Sequence, residues 1–66
     1  MENLVNGKTV EMQLDGLNGN AFVLMGHFSS NARKQGWTKE EIDIVLTECR
    51  RSDYDHLLCV LIAHTS

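Results

Sequence analysis

Proline is absent from these 66 residues, cysteine occurs twice, and aromatic residues make up only 6%. With 42% of residues apolar and no proline-rich or periodic glycine tract, the composition is neither disordered, collagen-like nor that of a linker. Two cysteines cannot build the disulfide framework of a small secreted domain. Cys49 and Cys59 each fall on an apolar stripe, where a free thiol packs as a small hydrophobe, so a reducing, intracellular setting is expected. Cations are scarce too. Six against nine acids leave a net charge of −3, which argues against general nucleic-acid binding, since that binding is driven by phosphate neutralisation. The longest apolar run, Leu57 to Ala63, falls far short of the roughly 20 residues that span a bilayer. No charged-then-apolar leader opens the chain. A cytoplasmic protein with no membrane partner is the expectation.

What is present suits one small domain over residues 1–66. A multidomain enzyme or a repeat array has no room in 7.5 kDa. Ordering each residue costs on the order of 1.5 kcal/mol, and a chain this short buries only about 60% of its unfolded surface, so burial and entropy nearly cancel. Help from a partner subunit is expected.

The patterning predicts an α+β, mainly α fold: a short N-terminal β-hairpin followed by three helices. Leu4-Val5, then Asn6-Gly7, then the alternating run Thr9 to Leu14 form the hairpin over 3–14, with Asn6-Gly7 suited to a type I′ turn and Val10, Met12 and Leu14 facing the core. Its open edge is one candidate for self-association. A first helix is predicted over about 19–35, with Asn18 as N-cap, Leu17 stapled to Phe22, and Ala21, Leu24, Met25, Phe28 and Ala32 on its inner face. Gly36 suits the left-handed position after its last turn, and Arg33 and Lys34 suit the negative end of its dipole. The second helix, about 38–50, opens with a Thr38/Glu41 capping box and Trp37 opposite Ile42, and turns Ile42, Val45, Leu46 and Cys49 inward. The third, about 52–64, carries Leu57, Leu58, Leu61 and Ile62.

Chemistry-bearing residues are few. His27, His56, His64, Cys49 and Cys59 are enough zinc donors in number, but there is no Cys-x2-Cys and no His pair at i, i+4. No metal and no cofactor are expected. Both thiols sit on core stripes, and a useful thiolate needs a neighbouring base. Asp53, Asp55 and His56 could make an acid/base group, although acids there also favour a helix N-terminus. Neither GxGxxG nor GxxxxGK[ST] occurs. Catalysis is not expected. Gly19 and Asn20 open a helix whose free N–H groups could receive an anion. Gly26 stands in a helix interior, where glycine costs nearly 1 kcal/mol relative to alanine, and so marks a close approach. With Phe22, Ser29, Ser30 and Arg33 on neighbouring positions, it defines a candidate subunit contact or ligand surface, the alternative being packing within the chain. Arg33, Lys34, Arg50 and Arg51 complement helix dipoles or, because arginine offers a planar fork, clamp an oxyanion.

The segments Asp15 to Phe22, Leu24-Met25-Gly26, Gly36 to Ile42 and Asp53 to Leu58 resemble short uncharacterised proteins encoded by tailed bacteriophages and prophages. That resemblance covers most of residues 13–64 and implies a phage origin and a compact helical domain. Small proteins of this kind often act on the host by binding. The leading expectation is therefore a homo-oligomeric, non-catalytic binding protein in the cytoplasm of a bacterial host. It would antagonise a host defence function by sequestering a small anionic, nucleotide-like signal held near Arg33, Arg50, Arg51 and Asn20, with Phe22, Gly26, Ser29 and Ser30 at the subunit contact. One alternative is an inhibitor or adaptor whose acidic surface, including Glu40, Asp43, Glu48 and Asp53, docks on a basic host protein. Another is a small enzyme using His56 with Asp55.

Overall fold

A computed structural model of the chain describes residues 1–14 and 19–66. Among them the order of elements is α1 (Ala21–Lys34), α2 (Lys39–Cys49) and α3 (Tyr54–Ala63), preceded by an irregular N-terminal segment. The fold is mainly helical.

The expected N-terminal hairpin is not seen, and no strand is found among the described residues. Its turn nevertheless forms: Asn6 and Gly7 both take positive φ, at 60° and 79°, and the Lys8 N–H donates to the Val5 carbonyl at 3.2 Å. What fails is the pairing of the flanks, because other partners take their backbone groups. The Asn3 carboxamide accepts from the N–H groups of Val5 and Gly7 at 2.8 and 2.9 Å, and donates to the carbonyls of Lys8 and Ala63 at 2.9 and 3.2 Å. Such side-chain bonds compete directly with a strand ladder. The run after the turn pairs with the C-terminal residues instead. Val10 N–H donates to the His64 carbonyl at 2.8 Å and Ser66 N–H to the Val10 carbonyl at 2.9 Å, closing a parallel bridge between Val10 and Thr65. The hairpin edge is thus withdrawn as a self-association surface.

The helices begin and end on local chemistry. Asn20 caps α1, its carboxamide oxygen accepting from Phe22 and Val23 N–H at 2.8 and 3.4 Å. The expected cap Asn18 and staple residue Leu17 lie outside the described residues. At the other end Gly36 takes φ 90°, Gly36 N–H donates to the Arg33 carbonyl at 3.2 Å and Trp37 N–H to the Ala32 carbonyl at 3.0 Å. These are the two bonds of a Schellman motif. One residue on, Thr38 and Glu41 form the reciprocal capping box at 3.2 and 2.8 Å. Asp53 caps α3 by accepting from His56 N–H at 2.9 Å.

The core is built from Leu24, Met25, Phe28 and Ala32 of α1, Ile42, Val45 and Cys49 of α2, and Leu57, Val60 and Leu61 of α3, with Val5, Val10 and Trp37 from the connecting segments. Met12, Leu14, Ala21, Leu46 and Leu58 pack at its margin. Trp37 meets Phe28 edge to face, ring centres 5.5 Å apart at 87°, while the Lys8 ammonium lies 5.5 Å from the indole centre and bonds Glu41 at 2.9 Å. Two inward assignments on α3 are corrected. Ile62 is 63% exposed, Cys59 is exposed, and Val60 is fully buried in their place. A helix apolar on nearly every side does not declare which stripe faces in.

His64 joins the ends of the chain. It is fully buried, its Nδ1 2.6 Å from the Val60 carbonyl and its Nε2 accepting Leu4 N–H at 2.9 Å. A carbonyl only accepts, so Nδ1 carries the proton and Nε2 is bare. This is a neutral imidazole with both nitrogens satisfied.

Candidate functional site

The outer face of α1 collects the unassigned features of the sequence. Phe22, Gly26, Ser29, Ser30 and Arg33 recur three or four apart along one flank of the helix beside its buried stripe, Ser29 half-buried and the others exposed. Phe22 is 79% exposed, the most exposed of the large apolar side chains among the described residues. A Cβ built on Gly26 would meet nothing within 4 Å, so no intrachain contact requires glycine there.

Shallow hollows flank this face and share residues. One of about 300 Å³ lies between α1 and α2, lined by Phe22, Met25, Gly26, Ser29, Leu46 and Arg50. The next, about 400 Å³, continues along α1 from Gly26, Ser29 and Ser30 to Arg33 and Lys34. In the other direction Phe22, Met25 and Arg50 also border a hollow of about 270 Å³ that reaches Tyr54 and Leu57 on α3. These are three adjoining hollows that share lining residues, and the one at Tyr54 also carries Asp53 beside Arg50. The lining contributed by Tyr54, Met25 and Leu46 was not anticipated, since it depends on how α2 and α3 abut α1.

The arginines divide in two. Arg51 is bound to Glu48, its Nε 3.2 Å from Oε2. Arg50 instead donates from Nε to its own helix, to the Leu46 carbonyl at 3.3 Å, and like Arg33 and Lys34 it has no carboxylate within 4.0 Å among the described residues. Arg50 borders one hollow with Phe22, Gly26 and Ser29, and Arg33 the adjoining one with Gly26, Ser29 and Ser30, whereas Arg51 lies in a separate ion cluster. Asn20 stands at the start of α1, with its oxygen engaged by the helix N–H groups.

The acid/base candidates are also rearranged. His56 Nε2 lies 2.7 Å from Glu48 Oε2, so its recorded partner is Glu48 and not Asp55. Sequence reading missed this pair because it spans the corner between α2 and α3. Burial pushes the Cys49 thiol up from 9.0 to about 11, opposed by Arg50 and aided to a smaller degree by Glu48. A thiol so protonated is a poor nucleophile at neutral pH. Among the described residues no group of three His, Cys, Asp or Glu side chains could hold a metal, and no helix is long and apolar enough to cross a membrane.

Comparison with protein-family models, curated proteins and solved structures returned no match.

Proposed function

We propose that the chain is a non-catalytic binding protein that self-associates and holds a small anionic, nucleotide-like ligand in the hollows along α1. The observation that supports this reading is that Arg33, Lys34 and Arg50, without ion-pair partners among the described residues, border adjoining hollows that also offer Phe22, Tyr54 and two serine hydroxyls, with Asp53 as the one acid of that lining. Guanidinium groups bind phosphate through charge-assisted hydrogen bonds. An aromatic and apolar lining suits a planar base. In the setting implied by the resemblance to small phage proteins, binding without turnover would withdraw a signal molecule and so antagonise a host defence function in the bacterial cytoplasm.

The alternatives draw less support. Of the acidic docking surface, Glu48 is engaged by His56 and Arg51, and Asp53 by the α3 N-terminus, which leaves Glu40 and Asp43. The enzyme reading needs His56 beside Asp55, and His56 is bonded to Glu48.

Native mass spectrometry of freshly purified protein tests the proposal. A retained small anion is expected, and Arg33→Ala and Arg50→Ala should each weaken its binding at least about tenfold with the helical circular dichroism unchanged. If the protein neither retains nor takes up a nucleotide, or if binding survives both changes, the reading fails.

A further inference from the structure

We propose that His64 is an acid-triggered latch: a proton taken up on its Nε2 breaks the bond to Leu4 and opens the seam between the two terminal segments while the three helices stay folded. The geometry leaves that proton no place. Nε2 already accepts the Leu4 N–H at 2.9 Å, and Nδ1, 2.6 Å from the Val60 carbonyl, already carries the hydrogen of the ring. A second hydrogen on Nε2 would point at the Leu4 N–H, donor against donor, and would leave a cation in a fully buried position. The imidazolium has to reach water, and it does so by parting from Leu4.

The surroundings of the ring offer no counter-charge. Among the described residues no carboxylate, that of the C-terminus included, lies within 4.0 Å of either ring nitrogen. On the N-terminal segment Glu2 and Glu11 are exposed, and the Lys8 ammonium is held by Glu41 at 2.9 Å. α1 carries no acid, and its His27, Arg33 and Lys34 are exposed. On α2 Lys39, Glu40 and Asp43 are exposed, Glu48 holds His56 and Arg51, and the Cys49 thiol is un-ionised. On α3 itself Tyr54, Asp55 and Cys59 are exposed, and His56 lies eight residues back, about 12 Å along the axis.

The other bonds of the seam, from Asn3 to the Ala63 carbonyl, Val10 to the His64 carbonyl and Ser66 to the Val10 carbonyl, contain no titrating group and last only while the segments stay docked. Carboxylates take up protons at lower pH than imidazoles do, and Thr38 N–H, followed by Lys8, holds the Glu41 carboxyl below even its ordinary 4.5. The capping box and the Lys8 tether therefore outlast the latch, which holds at neutral and alkaline pH and is lost as pH falls.

Long-range proton–nitrogen NMR of the full chain, titrated downward from neutral pH with amide protection factors read at each step, tests the latch. At neutral pH the His64 ring should show a proton on Nδ1 and a bare Nε2. As it protonates, the Leu4 and Val10 amides should lose protection by at least about tenfold at the same midpoint, while the amides of Phe28 and Val45 keep theirs. In His64→Gln, which has no titrating ring, the protection of Leu4 should not change over that range. His64 protonating beneath a still protected Leu4 amide, Leu4 opening only together with the middle of the helices, or acid release persisting in His64→Gln each overturns the proposal. Should the variant not fold, the titration of the natural chain decides alone.

Discussion

Glu41 does three things with one carboxylate: it closes the capping box on Thr38 N–H, binds the Lys8 ammonium, and through Lys8 steadies the cation over Trp37. The bond from Thr38 N–H, followed by that from Lys8, holds its carboxyl below the ordinary value of 4.5. As pH falls the unfolded chain takes up this proton first, so the contribution of Glu41 is whole above 4.5 and is lost as pH drops through the folded value. Cys49 acts at the other limit. Its thiol ionises near 9.0 when unfolded and near 11 when buried, so the fold keeps this contribution below 9.0 and loses it as pH climbs to about 11. Urea midpoints measured across pH should therefore fall on both sides of neutrality. Glu41→Gln should flatten the acid limb and Cys49→Ala the alkaline one; a profile that ignores either change contradicts the assignment. Residues of this kind divide by how local their partners are. Thr38 and Glu41 were legible because a capping box closes within one turn. Asn3, His64 and the Glu48–His56 pair were not, because their partners are brought up by the tertiary fold.

At the scale of elements, the glycine within α1 and the glycine just past its end answer to opposite demands. Gly36 is fixed by φ 90°, which a residue with a Cβ adopts only at a cost, so Gly36→Ala should destabilise by about 1–2 kcal/mol. Gly26 has ordinary helical geometry and open space around its Cβ position, so Gly26→Ala should stabilise the isolated chain by up to about 1 kcal/mol. Denaturant unfolding at concentrations where the chain is monomeric checks both signs. The helices themselves were legible wherever polar and apolar residues alternate with a clear period. Among the described residues the structure has three helices, Ala21–Lys34, Lys39–Cys49 and Tyr54–Ala63, with Gly36 in left-handed geometry after the first, Thr38 capping the second and Asp53 the third. α3 was legible as a helix but not in its rotation: within Tyr54–Ala63 only Tyr54, Asp55 and His56, all in the first turn, are polar, and the apolar residues that follow left Cys59, Val60 and Ile62 interchangeable on pattern alone. The candidate site was half legible. Phe22, Gly26, Ser29, Ser30 and Arg33 follow from helical spacing, whereas the separation of Arg50 from its neighbour Arg51 follows only from where α2 ends beside α1.

For the whole molecule, size alone turns out to be a weak reason for a partner. The accessible surface of 4255 Å² matches the roughly 4,200 Å² that scaling gives for a monomeric protein of this mass. What replaces the missing hairpin also acts at this scale. Asn3 makes four hydrogen bonds with backbone groups of both terminal segments, each worth roughly 0.5–1.5 kcal/mol net. Asn3→Ala should speed hydrogen exchange at the Leu4, Val5 and Val10 amides by more than an order of magnitude, while the amides in the middle of α1, α2 and α3 keep most of their protection. Equal acceleration everywhere would mean that the terminal segments and the helices open as one unit.

The bond from Leu4 to His64 also sets an order in time. It closes a loop of 60 residues, whereas each helix and both corner motifs close over a few. Local turns nucleate within microseconds, but a contact of such sequence separation must wait until the segments between have collapsed. The helices therefore assemble first and the seam between the two terminal segments closes last. In refolding experiments a probe at Val10 should report the final phase.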